Sequence, residues 1–94
     1  MQFEWDESKN VINIKKHGIS FERASTIFKG YVLTRWEKCF HRGEDRECSI
    51  DMIEGKRVVV VIHVDRGDKI RIISARKATK KERKLYYGYY HKKT

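Results

Sequence analysis

The chain contains no proline, only two cysteines and no long apolar run. Its longest continuous apolar run, residues 58–62, is far shorter than the roughly 20 residues that a transmembrane helix needs. The sequence also has no Gly-rich phosphate loop, no low-complexity linker and no signal-peptide layout. These absences favour a cytoplasmic protein that makes no membrane contact and folds as a single domain over residues 1–94.

The two cysteines, Cys39 and Cys48, lack the spacing of a metal site. They form no CxxC pair and have no His/Cys partners at zinc-finger intervals, so neither a metal ion nor another cofactor is expected. A chain reversal at residues 43–44 would bring the two side chains face to face, which makes a disulfide geometrically conceivable. In a reducing cytosol, two semi-buried thiols are the expected state.

Acidic residues are scarce in one part of the chain only. Residues 1–65 carry 11 basic and 11 acidic side chains, whereas residues 66–94 carry 11 basic and 2 acidic ones, so the formal charge of +9 lies in the last stretch. A concentrated basic surface favours a polyanionic partner, because phosphates that it neutralises release their condensed counterions. The alternative is a solvated basic tail that only maintains solubility.

The patterns that are present predict an α+β fold with the order β-α-α-β-β-β-α, in which a small antiparallel sheet packs against helices. "FEWD" predicts a short strand, Asp6 caps a helix over residues 7–17, and Ser20 caps a second helix that stops at Gly30. The mixed segment 31–45 holds at most one short strand, at "YVLTRW". Three β-rich runs then form an antiparallel meander with the second run at its centre, namely "RECSIDMI", "RVVVVIHV" and "KIRIISA".

The last segment predicts a third helix that begins with a capping box opened by Thr79. Its packing side carries Leu85, Tyr86 and Tyr89, and the helix is expected to fray from about residue 88. The other side displays basic and aromatic groups that could bind an RNA backbone and an unpaired base, or dock an acidic partner. These candidate RNA-binding residues are Lys80, Lys81, Arg83, Lys84 and Tyr87.

Three stretches of the sequence together resemble the BrnT family, ribonuclease toxins of bacterial type II toxin–antitoxin pairs. They are "FEWD", "KHGISFE" and "IRIISARKATKKERKLY", and the similarity extends over roughly residues 3–86. The resemblance implies a RelE-like fold and a metal-independent endoribonuclease that cleaves RNA, with messenger RNA as the expected target, and so inhibits translation. It also implies a cognate BrnA-like antitoxin that holds the toxin inactive in a hetero-oligomer and itself contacts operator DNA. Glu7 and Tyr87 depart from the family pattern, which commonly has proline and an acidic residue there.

Metal-free RNA cleavage needs a base for the 2′-hydroxyl proton, a cation for the charged phosphorane and an acid for the 5′-oxygen, and each acid–base step supplies roughly 10²–10⁴-fold. His17 lies in a matching motif at a helix C-terminus, and we expect it to act as acid or base. The alternative is a ring that only closes the corner between two helices. Arg76, at the end of the last strand, is the candidate transition-state cation. Because both residues end secondary elements, alanine at either position is expected to leave the melting temperature nearly unchanged.

Two further arginines complete the candidate site. Arg46 opens the first strand of the meander and is expected near Arg76 as a catalytic cation, or else in a surface ion pair with a neighbouring carboxylate. Arg71 is a candidate RNA contact, although strict alternation places it on the sheet face opposite Arg76 unless a bulge intervenes near Ser74. His63, within an apolar strand, is expected to pack in the core.

Two other function classes stay open from the sequence. In the first, the same basic helix positions phosphates in a non-catalytic RNA- or DNA-binding module. In the second, the helix serves only an acidic protein partner. Incubation with RNA in the presence of EDTA separates the enzyme from the non-catalytic module.

Overall fold

The computed structural model describes residues 2–29, 33–36 and 46–93, with side chains described up to residue 88 except in 33–36. The strands are β1 (Gln2–Glu4), β2 (Leu33–Trp36), β3 (Glu47–Ile53), β4 (Arg57–Arg66) and β5 (Lys69–Lys77), and the helices are α1 (Glu7–His17), α2 (Phe21–Ser25) and α3 (Lys80–Lys93). A short 3-10 helix, Thr26–Lys29, continues α2. Within these ranges, every helix is too short or too polar to cross a membrane.

The five strands form one sheet in the order β1-β5-β4-β3-β2. β3, β4 and β5 pair antiparallel as the predicted meander, and β4 lies at the centre. The short strand that the sequence allowed at "YVLTRW" is present as β2, which pairs antiparallel with β3 and adds a strand to the predicted order. One feature differs from the predicted antiparallel sheet. β1 pairs with β5 in parallel, so the sheet is mixed, because alternation of side chains records which face is buried but not the direction of the neighbouring strand. The α+β class is confirmed, whereas the RelE-like relationship stays a prediction.

Capping residues define both ends of α1 as the sequence predicted. Asp6 Oδ1 accepts hydrogen bonds from the backbone N–H groups of Ser8 at 2.9 Å and Lys9 at 3.4 Å, which satisfies two donors of the first turn. At the other end, Gly18 adopts φ +70° and donates its N–H to the Ile14 carbonyl at 2.8 Å. Only a residue that tolerates the left-handed region fits there, so the helix stops directly after His17.

The buried side of α1 is polar, which reverses the usual arrangement. Asn10 and Asn13 are 8% and 6% exposed, whereas Val11, Ile12 and Ile14 are 45%, 61% and 42% exposed. The two carboxamides are buried because they complete backbone hydrogen bonds of other segments. Asn10 Oδ1, for example, accepts from the N–H of Phe21, the first residue of α2, at 2.8 Å. A carboxamide offers both donors and an acceptor, which no apolar side chain can do.

Apolar side chains cover both faces of the sheet and leave β4 buried between them. Residues of α2 and the 3-10 helix pack on one face against β4 and β5, and the members of this cluster are Ile19, Phe21, Ala24, Ile27, Ile53, Val59, Val61, Ile70, Ile72 and Ala75. The other face carries a smaller cluster with α3, formed by Cys48, Ile50, Val58, Val60, Ala78 and Tyr86. Cys48 is thus a buried core residue, while Cys39 lies outside the described residues.

The start of α2 is the predicted Ser20 cap, with Ser20 Oγ accepting from the Arg23 N–H at 3.1 Å. The α-helix itself is shorter than predicted, because the chain tightens into the 3-10 helix after Ser25. The Arg23 side chain pairs with Glu54 at 2.9 Å on the surface. Gly30, the predicted end of this helix, lies outside the described residues.

The capping box that opens α3 is confirmed. Thr79 Oγ1 accepts from the Glu82 N–H at 3.2 Å, and Glu82 Oε1 accepts from the Thr79 N–H at 2.8 Å. Of the predicted packing side, Tyr86 is buried, but Leu85 is 39% exposed, so the prediction was wrong for Leu85. The side chain of Tyr89 lies outside the described part of the chain.

The backbone of α3 is helical as far as Lys93. It therefore continues past Gly88, and fraying from about that residue in solution stays a prediction. The anchor of the helix on the sheet is Tyr86, whose hydroxyl lies 2.9 Å from Asp51 Oδ1 on β3. A hydrogen bond of this kind satisfies the buried end of the ring while its apolar body packs in the smaller cluster.

Candidate functional site

A surface cleft of about 400 Å³ lies where the C-terminal ends of α1 and β5 meet the start of α3. Its lining residues are Lys16, His17, Arg76, Lys77 and Thr79. The volume is in the range of small-ligand sites. The fold therefore brings together His17 and Arg76, two candidate residues that are 59 positions apart in the sequence.

Asn13 fixes the position of His17 relative to β5. Its carboxamide accepts from the Ala75 N–H at 3.2 Å and donates to the Ala75 carbonyl at 2.8 Å, so it bonds the strand edge as a neighbouring strand would. It also donates to the Ile19 carbonyl at 2.8 Å, which fastens the corner after α1. His17 follows Asn13 by four residues and so projects from the same side of the helix, towards the residues that follow Ala75.

Arg76 and Glu82 form a two-pronged ion pair at the edge of the cleft. Arg76 Nη1 lies 2.7 Å from Glu82 Oε1, and Arg76 Nη2 lies 3.0 Å from Glu82 Oε2. The two side chains are 30% and 15% exposed, so the pair is largely shielded from water. A planar guanidinium held in this way has a fixed orientation. Since Glu82 also closes the capping box, the pair joins the end of β5 to the start of α3.

The pairing with Arg76 lowers the pKa of the Glu82 carboxyl from 4.5 to about 2, with hydrogen bonds from Thr79 adding to the effect against the opposing influence of burial. Glu82 is therefore ionised at neutral pH and offsets part of the charge on Arg76. Two further cations, Lys16 and Lys77, line the cleft, so positive charge is in excess. Such a site favours an anionic ligand.

A bulge between β4 and β5 places Arg71 and Arg76 on the same face of the sheet. Ile62 pairs with Ser74, whereas His63 pairs with Ile72, so Ile73 is the extra residue in β5. Arg71 pairs with Val64 and Arg76 with Val60, two positions of β4 that share one face. The alternative of a bulge near Ser74, which the sequence left open, is thus the one that the register supports.

Arg71 and Arg76 are nevertheless separated along that face. Their partners on β4 are four residues apart, which corresponds to about 13 Å at roughly 3.3 Å per residue. Arg71 is half-buried, and its Nη1 lies 3.7 Å from Glu4 Oε2 on the neighbouring β1 strand. It therefore lies outside the cleft lining.

Arg46 lies at the other end of the sheet from Arg76. Ile50 on β3 and Arg76 on β5 both pair with Val60 of β4, so these three residues lie side by side across the sheet. Arg46 is four residues away from Ile50 along the chain. Two strand spacings of roughly 4.8 Å add to that offset. The expected proximity of Arg46 to Arg76 is therefore wrong. β3 and β5 both pair antiparallel with β4 and so run in the same direction, which places the start of β3 and the end of β5 at opposite ends of the sheet. The neighbouring carboxylates of the alternative surface ion pair, which the sequence places at residues 44 and 45, lie outside the described part of the chain.

The candidate RNA-binding residues of α3 form an exposed surface that begins at the cleft. Thr79 lines the cleft and caps α3, and the residues that follow are exposed, namely Lys80, Lys81, Arg83, Lys84 and Tyr87. The Arg83 side chain also donates to the Ala78 carbonyl at 3.1 Å. Tyr87 is 44% exposed and packs edge-on against Tyr86, so one part of its ring is available for stacking.

His63 is a core residue, as predicted, with 2% of its surface exposed. Its ring packs edge-on against Phe28 at 4.9 Å, and its Nε2 lies 2.7 Å from Ser49 Oγ. Burial lowers the pKa of the imidazole, against an opposing influence of Asp65, so the ring is neutral at pH 7. Ser49 and His63 are too deeply buried to reach an RNA chain.

Sequence reasoning missed three of the five cleft residues, Lys16, Lys77 and Thr79. The signal was present in part, since Lys16 and Lys77 adjoin the two candidates His17 and Arg76 in the sequence. Asn13 was missed altogether. Its spacing of four residues from His17 places both on one helix face, and the lack of any apolar stripe on that face indicates a polar contact.

Comparison with known proteins agrees with the geometry. Residues 5–82 match the family model described as ribonuclease toxin, BrnT, of type II toxin-antitoxin system. Among solved structures, the chain is similar to the ribonuclease toxin BrnT of Brucella abortus, with 29% identity, a TM-score of 0.63, and coverage of 85% of this chain and 99% of that one. No curated protein matches the chain. Since the family model spans most of the sequence, the chain belongs to the BrnT family of ribonuclease toxins of type II toxin–antitoxin systems.

Proposed function

We propose that this chain is a metal-independent endoribonuclease that cleaves RNA, with messenger RNA as the target, through attack by the 2′-hydroxyl. The observation that supports the proposal best is the cleft in which His17 and Arg76 meet beside Lys16 and Lys77. Among the described residues that line it, His17 carries the imidazole, the side chain that most often serves as general acid or base.

In the proposed mechanism, His17 accepts the proton of the 2′-hydroxyl as that oxygen forms a bond to phosphorus. The bond from phosphorus to the 5′-oxygen then breaks, and the 5′-oxygen takes a proton from a lysine ammonium of the cleft or from water. Arg76, oriented by Glu82, donates to the phosphorane oxygens as their charge develops. The products are a 2′,3′-cyclic phosphate and a 5′-hydroxyl end. We keep Arg46 and Arg71 as weaker candidates, since the sheet register separates both from the cleft.

The exposed surface of α3 extends the basic cleft and supports a path for the RNA backbone. Its lysines and arginine would contact phosphates, and Tyr87 would stack on an unpaired base. The same positive surface suits a BrnA-like antitoxin that covers the site in a hetero-oligomer, with operator DNA contacted by the antitoxin alone. We propose this function for a single, RelE-like domain over residues 1–94 that acts in the cytoplasm.

The test is cleavage of a labelled single-stranded RNA by the purified chain in the presence of EDTA. We expect cleavage to continue, to leave 5′-hydroxyl ends, and to stop when a single 2′-deoxy nucleotide replaces the one at the cleaved bond. His17→Ala should abolish or strongly reduce cleavage, while Lys15→Ala, an exposed position in the same turn of α1, should retain it. Arg76→Ala should also lose activity, with Arg23→Ala as the control for loss of an arginine ion pair.

A non-catalytic nucleic-acid-binding module gives a different result in the same assay. RNA would bind and stay intact under all conditions, with or without metal ions, and the deoxy substitution would change nothing. Cleavage that requires a divalent metal would show that the chain is an enzyme but would refute the metal-independent mechanism.

A further inference from the structure

Three potential metal-ligating side chains meet at the end of the sheet that is remote from the cleft. Glu47 and His63 are direct cross-strand partners on β3 and β4, and Asp65 follows His63 by two residues on the same face of β4. One ligand atom from each of these side chains lies within 4.8 Å of the others. Neither the family match nor the proposed RNA cleavage accounts for this cluster.

The buried imidazole is the decisive member. His63 Nδ1 is shielded from solvent and has no hydrogen-bond partner among the described residues. It points towards Asp65, whose Oδ1 lies 3.7 Å away, which is too long for a hydrogen bond. A buried polar atom of this kind is rare in folded proteins and calls for a ligand.

The other ring nitrogen is held in the manner typical of metal-binding histidines. His63 Nε2 lies 2.7 Å from Ser49 Oγ, and Ser49 is fully buried. When Nε2–H donates to this oxygen, Nδ1 carries the lone pair of the ring, 3.7 Å from Asp65 Oδ1. A hydrogen bond on the second nitrogen fixes the tautomer and orientation of most metal-ligating imidazoles. Edge-on packing against Phe28 restrains the ring further.

The carboxylates supply negative charge that nothing in the cluster itself neutralises. A carboxylate oxygen of Glu47 and one of Asp65 lie within 4.8 Å of each other, so their charges repel. A cation placed between the two carboxylates would remove this repulsion and would accept the lone pair of Nδ1. The cluster is also accessible, since the Asp65 side chain is 56% exposed while His63 lies behind it.

We propose that Glu47, His63 and Asp65 bind a divalent first-row transition metal ion such as Zn²⁺ or Mn²⁺. One imidazole nitrogen with two carboxylate oxygens is a donor set that suits these ions. Tetrahedral ligands at roughly 2.1 Å from zinc lie about 3.4 Å apart, so the 3.7 Å between Nδ1 and Oδ1 is already close to the required spacing. A change of rotamer in the two carboxylate side chains would bring the remaining ligand atoms to this spacing, and water would complete the coordination shell of the ion.

The site would fasten the start of β3 to the end of β4 and would take no part in RNA cleavage. His63 lies three residues along β4 from the partner of Arg76, about 10 Å away, and faces the opposite side of the sheet. The inference therefore does not depend on the proposed catalytic function. Loss of metal should lower stability and leave cleavage by folded molecules unchanged.

The test uses the untagged full chain, stripped of metal by dialysis against a chelator, and titrated with ZnCl₂ or MnCl₂ in a calorimeter. We expect one ion per chain, with at least tenfold weaker binding after Asp65→Asn or Glu47→Gln. Asp68→Asn, an exposed carboxylate in the turn after β4, is the matched control and should bind as wild type does. In ¹⁵N spectra of the imidazoles, Zn²⁺ should shift Nδ1 of His63.

Thermal unfolding gives an independent readout. A ligand that binds only the folded chain should raise Tm on the order of 10 °C when the free metal is about 100 times Kd, and Asp65→Asn should lose most of that rise. Absence of saturable binding up to millimolar metal would refute the proposal. So would binding that is unchanged in both Asp65→Asn and Glu47→Gln, since the ion would then lie elsewhere on the chain.

Discussion

The ion pair between Arg76 and Glu82 predicts a specific dependence of stability on pH. Glu82 has a pKa of about 2 in the folded chain against an ordinary value of 4.5, so the folded state holds its carboxylate ionised more strongly than the unfolded state does. The interval between these values corresponds to about 3 kcal/mol of folding free energy. Because the folded pKa is the lower one, this stabilisation is complete above about pH 5 and is lost as the pH falls from 4.5 towards 2.

Glu82→Gln should remove this contribution while it keeps the shape of the side chain. At pH 7 we expect the variant to unfold with up to about 3 kcal/mol less free energy than wild type, which corresponds to a fall in Tm on the order of 10 °C. The difference should shrink steadily between pH 5 and pH 2, where the wild-type carboxyl also becomes neutral. Urea titrations of both proteins across this range measure it. A difference that is as large at pH 2.5 as at pH 7 would refute the assignment to the ion pair.

Arginine variants then separate a structural role for Arg76 from a role in cleavage. From the sequence, Arg76→Ala was expected to leave the melting temperature nearly unchanged. Because the structure shows a two-pronged contact with Glu82, we now expect this variant to lose about as much stability as Glu82→Gln does. The double variant should be little less stable than either single one, because both remove the same interaction. Activity should diverge, with cleavage per folded molecule lost in Arg76→Ala and only partly reduced in Glu82→Gln, which keeps the cation but holds its orientation less firmly. Equal activity in the two single variants would make Arg76 a structural residue only.

Four further outcomes are expected. His17→Ala should reduce the cleavage rate by roughly 10²–10⁴-fold with Tm nearly unchanged, as measured by RNA cleavage and thermal unfolding. Asn13→Ala should lower the unfolding free energy by about 1–3 kcal/mol, because it leaves the backbone of Ala75 without its edge partner, and should reduce cleavage through misplacement of His17. Expression of the chain should arrest bacterial growth, with relief by co-expressed antitoxin; normal growth at confirmed expression would contradict the toxin function. The slope of log affinity against log salt for single-stranded RNA should fall by about 2 in a triple alanine variant that changes Lys80, Lys81 and Lys84. The control is a second triple alanine variant that removes the same charge from exposed lysines elsewhere on the chain, namely Lys9, Lys29 and Lys56. Its affinity and slope should be nearly unchanged.

Local signals in the sequence predicted the elements well. The bounds of α1 agree at both ends because Asp6 and Gly18 are strong caps, and the capping box at Thr79 fixes the start of α3 for the same reason. The central position of β4 followed from its continuous apolar run. Each of these features depends on residues close together in the chain.

Features that depend on distant parts of the chain were harder to predict. The parallel pairing of β1 with β5 and the shortened α2 are set by packing, which local patterns do not record. Arg46 and Arg76 lie apart because β3 and β5 both pair antiparallel with β4 and so run in the same direction, which puts the start of β3 and the end of β5 at opposite ends of the sheet. A single bulge at Ile73 decided which face carries Arg71, since a shift of one residue reverses every side chain beyond it.

The cleft itself follows from one polar contact that runs against the usual rule for helices. α1 exposes its aliphatic residues and buries two asparagines, because the open edge of β5 and the corner after α1 need hydrogen-bond partners more than they need apolar cover. Asn13 meets both needs and thereby places the last turn of α1, with Lys16 and His17, beside the end of β5. The same strand end continues through Arg76 into the capping box of α3. Two structural features, the buried carboxamide of Asn13 and the capped start of α3, thus bring the basic residues of separate elements to one site.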